Sequence, residues 1–492
     1  MNYISTRGKN EKITASQSIV KGIADDGGLY VPEQIPAASK TPAEISSMDY
    51  NAHAKWLMQH FLTDYTSEDI SRCVDGAYNT QNFDTPDIAP LVQTSETSFS
   101  ETSFSETSFL ELHHGKTLAF KDMALSLLPL LMTTALKKMP NPKTQVILTA
   151  TSGDTGVSAL EGFKDIDGVE IIVFYPENGV SVIQKQHMIT QTGKNVRVIG
   201  VKGNFDDAQS EVKRIFLDKQ MKEKLNANGY EFSSANSINT GRLIPQIVYY
   251  FYAYSQLVRN GMNPNEVVNF IVPTGNFGNI LAGYYAKKMG LPIDKLVCAS
   301  NENKVLYDYF ETGVFDSNRP FYLTASPSMD ILIPSNFERL VYDLIKPEDG
   351  LQERLLKLSG KKRFEMEVPK NFSGFYASEK EVKAAIKKVF ANHKYLIDPH
   401  TAVAYVAHEK LNSGRNVIVS TASPYKFAKT VMTSIDEKYY KYDDFALLEQ
   451  MAELTKGNVP EQFADLKQKE IRHTKVVEIN EMAETVGRYF YA

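Results

Sequence analysis

Cysteine and tryptophan are nearly absent from this chain, with only Cys73, Cys298 and a single tryptophan among 492 residues. Two cysteines build no disulfide framework, and these two lack the paired spacing of a zinc site. No run of about 18 apolar residues occurs, so no segment reads as a membrane-spanning helix. The opening MNYISTRGKNEK lacks the apolar core of a signal peptide. Together with the scarce thiols, this leads us to expect a cytoplasmic protein. Positive charge is also not in excess: 54 Lys and Arg face 59 Asp and Glu, for a net charge of -5. Such a balance offers nucleic acid no electrostatic footprint and an anionic membrane no basic run, so neither is expected as a partner.

Two familiar motifs fail. GKT at Gly115–Thr117 would complete a phosphate-binding P-loop only with glycine at position 110, where Leu110 stands. His113 and His114 are adjacent, cannot share a helix face, and have no HExxH around them, so a helper or core role is expected rather than metal ligation.

What is present is an ordinary globular composition, 42% hydrophobic and 23% charged, in a chain long enough for two or three domains. A short apolar run, a Gly- or Ser-bearing loop and a helix-compatible segment recur: QVILTA, TSGDTG and VSALEGF; VNFIVP, TGNFGN and ILAGYYAKKMG; NVIVS, TASP and YKFAKTVM. VEIIVFY and VRVIGV read as further strands buried on both faces. This alternation predicts an α/β protein with parallel sheets, whose ligands sit at the carboxyl ends of the strands. We expect an N-terminal domain over residues 1–94, a large domain over 95–142 and 232–492, and a small α/β domain over 143–231. The charged stretch 348–383 reads as surface helix and loop.

The pentapeptide SETSF is written three times between Ser95 and Phe109. A period of five matches neither the helical period of about 3.6 nor the strand period of about 2, so the copies cannot pack equivalently and a tolerated duplication in a surface loop is expected.

Lys121 stands between the apolar Leu118, Ala119 and Phe120 and the helix-starting Asp122. Such a lysine either snorkels to solvent or is desolvated, with its amine available as nucleophile or base. PTGNFGN, Pro273 to Asn279, can turn successive N–H groups and a helix N-terminus toward a phosphate, although a plain turn uses the same residues. ATSGDTG, Ala150 to Gly156, offers N–H groups and the hydroxyls of Thr151, Ser152 and Thr155 to an anion, or simply caps a helix.

LAFKD, TSGDTG and GNFGN, in this order, resemble the pyridoxal-phosphate enzymes of the tryptophan synthase β fold type. With YISTRG, DGGLYVPEQIP, HGKTLAFKDMA, SVIQKQHMITQTGKNV, VKGNFDDAQ, SSANSINTGRLIPQ and STASPYKF, the resemblance narrows to the threonine synthase family in its long bacterial and fungal form. It runs nearly end to end. It implies two parallel-sheet lobes around a cofactor cleft, and a carbon–oxygen lyase that converts O-phospho-L-homoserine and water to L-threonine and phosphate. Lys121 would hold pyridoxal 5'-phosphate as a Schiff base and act as the base. Gly275, Asn276, Phe277, Gly278 and Asn279 would cradle the cofactor phosphate, and Thr421, or a neighbouring Ser420 or Ser423, would meet the pyridine nitrogen. Thr151, Ser152, Gly153, Asp154 and Thr155 would serve the substrate, with Lys185, Asn239 and Arg242 as candidates for its phosphate; surface ion pairs are the competing role of Lys185 and Arg242. Departing from the family's pattern, two of the three SETSF copies look inserted. A related lyase or dehydratase on another amino acid, and a non-catalytic ligand-binding homologue, remain alternatives, as do a monomer and a homodimer.

Overall fold

The computed structural model describes residues 1–8, 11–95, 106–345, 351–360, 363–411 and 414–491. Two sheets organise it. The larger runs in the order Phe372–Tyr376, Ile293–Ser300, Val268–Pro273, Arg415–Ser420, Glu106–Glu111 and Leu91–Ser95, with all pairs parallel except the last. The smaller runs Val476–Glu478, Val196–Lys202, Val169–Pro176, Thr144–Ala150 and Tyr230–Ser233, parallel throughout. The strands expected from the apolar runs are all present, and Val268–Pro273 is buried at every position. Sheets covered on both faces need such runs rather than an alternating pattern.

Each sheet has one point where the connections turn from one side to the other. In the larger sheet it lies between Val268–Pro273 and Arg415–Ser420; in the smaller, between Thr144–Ala150 and Tyr230–Ser233. The loops 274–277 and 151–153 leave the sheets there, at carboxyl ends of strands, where α/β folds open a crevice.

The helix Thr240–Arg259 fills the space between the large sheet and the N-terminal helices, and it is buried continuously from Thr240 to Leu257. Tyr50 of the N-terminal helix Tyr50–Phe61 meets its Tyr252 edge-on at 5.3 Å. N-terminal side chains such as Tyr3, Leu57 and Val74 belong to the same continuous core as Val417 and Val419 of the large sheet.

Three elements differ from expectation. The stretch expected as surface helix and loop contains Phe372–Tyr376, an edge strand of the main sheet in which Phe372 is buried. Its charged flanks hide a short aromatic run. The C-terminal segment, expected with the large domain, instead adds Val476–Glu478 to the small sheet and buries Met482, Val486 and Phe490 against it. Finally, the third SETSF copy is not surface loop: Glu106–Glu111 is an inner strand, with Phe109 fully buried and its ring 4.9 Å from that of Tyr395. Residues 96–105, which carry most of the other two copies, lie outside the described residues.

Deleting Ser95–Phe104 leaves one copy and the side-chain alternation of Glu106–Glu111 unchanged. Because closure entropy changes by only about 0.6 kcal/mol per doubling of loop length, the shortened protein is expected to fold and to keep its activity within about threefold; circular dichroism and steady-state rates check this.

His114 has a structural role. His114 Nδ1 lies 2.6 Å from Asp84 and Nε2 lies 2.8 Å from Glu111, tying the N-terminal part to the large sheet. Burial alone would lower its pKa, but the two carboxylates raise it to about 9. A pKa raised on folding stabilises below the unfolded value of about 6.5 and loses that contribution as pH climbs through the folded value. His114→Gln should therefore cost stability, roughly 3 kcal/mol at most, below pH ~6.5, with the difference from wild type shrinking toward pH ~9. Urea melts across that range measure it; a deficit constant with pH would contradict the charged pair.

Candidate active site

The two switch-point loops face one another across a cleft that encloses about 810 Å³ including space open to solvent. Lys121 lies on its wall, as do Thr151, Ser152, Asp154, Thr155, Arg242, Gly275, Asn276, Phe277, Gly278, Asn279 and Thr421. Residues named from distant parts of the sequence thus converge on one cavity.

Lys121 begins the short helix Asp122–Leu125 and is only 6% exposed. Its Nζ donates to Asp154 Oδ2 at 3.0 Å and to Ser328 Oγ at 3.2 Å. Burial lowers its pKa below that of an ordinary lysine, and Asp154 offsets only part of that effect. Asp154 is the hub of a buried charge network. Lys426 Nζ approaches its Oδ1 at 3.1 Å, and Gln184 Nε2 donates to the same oxygen at 2.8 Å. Burial would raise the Asp154 pKa, but Lys121 and Lys426 hold it far below the usual carboxylate range. The ammonium groups thus share a single, fully ionised carboxylate.

The loop before the helix Gly278–Lys288 is shaped to bind an anion. Phe277, its N-cap, adopts a left-handed φ of 66°, which brings successive N–H groups round to one side next to the helix N-terminus. A non-glycine residue in that conformation is held there by packing: its ring lies 5.3 Å from that of Phe337 and 6.0 Å from that of Phe372. Phe372 comes from the edge strand hidden in the charged stretch. Gly275 must be glycine, since a Cβ there would sit 2.3 Å from the carbonyl oxygen of Ser328. In the facing loop, Gly153 has a φ of 132°, and a Cβ would meet Gln184 at 2.5 Å.

Three buried polar atoms on the cleft wall have no hydrogen-bond partner among the described residues: Arg242 Nε, Asn236 Oδ1 and Asn279 Nδ2. Asn279 is oriented by Tyr249 and Tyr250, whose hydroxyls donate to its Oδ1 at 2.7 and 2.8 Å, so its amide nitrogen is left for a ligand. Arg242 is 2% exposed, and burial pushes its pKa down to about 10. Buried polar groups cost free energy unless paired. Two orphaned donors beside an N–H nest match a ligand rich in anionic oxygen, such as pyridoxal phosphate.

Other candidates lie elsewhere. Asn239 is fully buried and caps the helix Thr240–Arg259, accepting from Gly241 N–H at 2.8 Å and donating to the carbonyls of Ile19 and Ser234. Lys185 pairs with Glu177 at 2.6 Å and does not line the cleft. Thr151 Oγ1 accepts from the N–H groups of Gly153 and Gly156, so it shapes the loop. Of the three hydroxyls at the end of Arg415–Ser420, only Thr421 lines the cleft; Ser420 Oγ faces Thr401 at 3.1 Å.

Sequence patterns did not reveal Ser328, His400 or Lys426. His400 lines the cleft with Nδ1 2.5 Å from Asp398. Ser328 N–H donates to Nε2 at 3.2 Å, so the ring hydrogen sits on Nδ1. An Asp two residues before a His was the only available signal.

Three family profiles match the chain: "Threonine synthase N terminus" over residues 2–78, "Pyridoxal-phosphate dependent enzyme" over 109–422 and "Threonine synthase, C-terminal" over 401–486. A threonine synthase of Pseudomonas aeruginosa is 38% identical over 445 residues, covering 88% of this chain and 90% of that one. Among solved structures, threonine synthase from yeast is 31% identical with a TM-score of 0.84, covering 99% of this chain and 98% of that one. A pyridoxal-phosphate-bound threonine synthase from Brucella melitensis is 33% identical, with the same TM-score and full coverage of both chains.

Proposed function

The chain belongs to the threonine synthase family of pyridoxal-phosphate-dependent enzymes, and we propose that it converts O-phospho-L-homoserine and water to L-threonine and phosphate, with its cofactor attached at Lys121. The observation that supports this most strongly is a desolvated lysine amine, 3.0 Å from an ionised Asp154, facing an anion nest across one cleft.

When bound, pyridoxal phosphate supplies an electron sink for negative charge at the substrate's Cα. The chain does the rest. Gly275, Asn276, Phe277, Gly278 and Asn279 would hold the cofactor phosphate, and Thr421 would offer a neutral hydroxyl to the pyridine nitrogen. Lys121 moves protons at Cα and Cβ, and Asp154 and Ser328 fix the position of its Nζ. Ser152 and Thr155, with the backbone around Gly153, take the substrate's carboxylate end, and Arg242 offers its planar fork to a phosphate. In the net reaction the Cγ–O bond breaks and phosphate leaves, Cβ loses a proton and gains hydroxyl from water, Cγ gains a proton, and the remaining proton of water leaves with the phosphate. No helix among the described residues is long and apolar enough to cross a membrane. A cytoplasmic location accords with two buried, unpaired thiols.

The test is to measure phosphate, threonine and oxo acid together after adding O-phospho-L-homoserine. Equal amounts of phosphate and threonine are expected. Phosphate with oxo acid and no threonine would point to the related lyase reading, and no phosphate to the silent homologue.

A further inference from the structure

A second cleft, about 910 Å³ and partly open to solvent, lies where the N-terminal part, the small lobe and the large lobe meet. Leu29, Leu217, Ile238, Ile333 and Leu358 give it apolar walls. Its acids are already engaged. Glu338 is paired in bidentate fashion by Arg7 at 3.0 and 2.5 Å and accepts from Thr6 Oγ1, while Asp26 accepts from Ser5 Oγ and Gly28 N–H at 2.8 Å each. Lys213, on the helix Phe205–Leu217, also lines the cleft, and its Nζ makes no hydrogen bond or ion pair among the described residues. Burial lowers the Lys213 pKa, with Glu338 opposing the effect. The buried Ser335 Oγ, on a residue that also lines this cleft, has no partner among the described residues either. An unpaired ammonium and an unpaired hydroxyl lining a cleft with aliphatic walls lack one thing, an acceptor that carries an apolar body.

Three segments that line this cleft also reach the candidate active site. Ser335 N–H donates to Asn276 Oδ1 at 3.4 Å and Asn336 N–H to the Asn276 carbonyl at 3.0 Å, so the segment bearing Ser335 rests on the cofactor-phosphate loop. Ser237 lines one cleft and Ile238 the other; the helix carrying Lys213 and Leu217 presents Phe205 to the first cleft. We propose that the second cleft is a binding site for a small aliphatic carboxylate, with the carboxylate on Lys213 and Ser335 and the aliphatic body against Leu217 and Ile333, and that its occupancy is felt at Asn276 in the cofactor loop. Free aliphatic acids and aliphatic amino acids share this chemistry.

Isovalerate tests the site without entering amine chemistry at the cofactor. Titrated calorimetrically into holoenzyme, it should bind once per chain and about tenfold tighter than acetate, which lacks the aliphatic body, or inorganic phosphate. Lys213→Met should weaken it about tenfold or more and Lys213→Arg should restore it. Leu217→Asp, at a position 51% exposed and so tolerant of substitution, should weaken it as well. Saturating isovalerate should change the dissociation constant of pyridoxal phosphate by about fivefold. L-Valine, if it competes with isovalerate, identifies the amino acid as the source; if it does not, the free acid is. The proposal fails if isovalerate shows no saturable binding, if acetate or phosphate binds as tightly, if Lys213→Met and Leu217→Asp both bind like wild type, or if cofactor affinity does not move. These readouts need no turnover, so they stand apart from the threonine assay.

Discussion

Lys121→Ala is expected to fold, to lack the visible absorption of lysine-bound cofactor, and to lose at least about 10⁴-fold in turnover of O-phospho-L-homoserine. The reasoning rests on position. Lys121 is the lysine whose Nζ faces both Asp154 and the anion nest, and burial keeps its amine more available than that of an exposed lysine. Lys426 also reaches Asp154, but its Nζ is committed to the Thr117 carbonyl at 2.5 Å and to Asp154 at 3.1 Å, and it does not line the cleft. Borohydride reduction followed by peptide mapping decides between them. Label on Lys121 is expected; label on Lys426, or visible absorption surviving in Lys121→Ala, would overturn the assignment.

Asp154→Asn should have the second largest effect. The substitution keeps the shape but removes the one carboxylate between two ammonium groups, with side chains 8% exposed for Lys121 and 1% for Lys426 and Asp154. Removing one partner of a buried charge network typically costs about 3–5 kcal/mol, because the remaining charge is left uncompensated. Turnover should fall about a hundredfold or more, since Asp154 positions Nζ and sets its protonation. The double variant Asp154→Asn with Lys426→Met should recover part of the lost stability, because one stranded ammonium is gone. Urea unfolding of both single variants and the double variant tests this. Additive costs in that cycle would mean that the two residues do not act as a network.

Much of this architecture was legible in the sequence because parallel strands buried on both faces must be apolar runs, and because the loops leaving them need Gly where the backbone turns close to other groups. QVILTA with TSGDTG and VNFIVP with TGNFGN carried both signals, and both became walls of the cleft. The resemblance to a family added the assignment of roles, which residue types alone left open between ligand and cap. The resemblance also had its limit: it made Asn239 a candidate phosphate ligand, but its side chain is used up in capping a helix. Ser328 and His400 could not be seen because each reaches the cleft from a segment with no strand–Gly–helix pattern, and Lys426, although it follows TASP in such a unit, because only the fold carries its side chain to Asp154. Phe372–Tyr376 and Val476–Glu478 were missed for a different reason. Both are short edge strands whose neighbours are charged, so their pairing depends on the rest of the sheet rather than on their own periodicity.

The most direct test of the central claim is turnover of O-phospho-L-homoserine in water enriched in oxygen-18. Breaking the Cγ–O bond sends phosphate away with all its original oxygens, and hydration at Cβ places one solvent oxygen in the product. Unlabelled phosphate and threonine labelled once at its hydroxyl, in equal amounts, are expected. Labelled phosphate with homoserine would show cleavage of the P–O bond by hydrolysis and would contradict the claim.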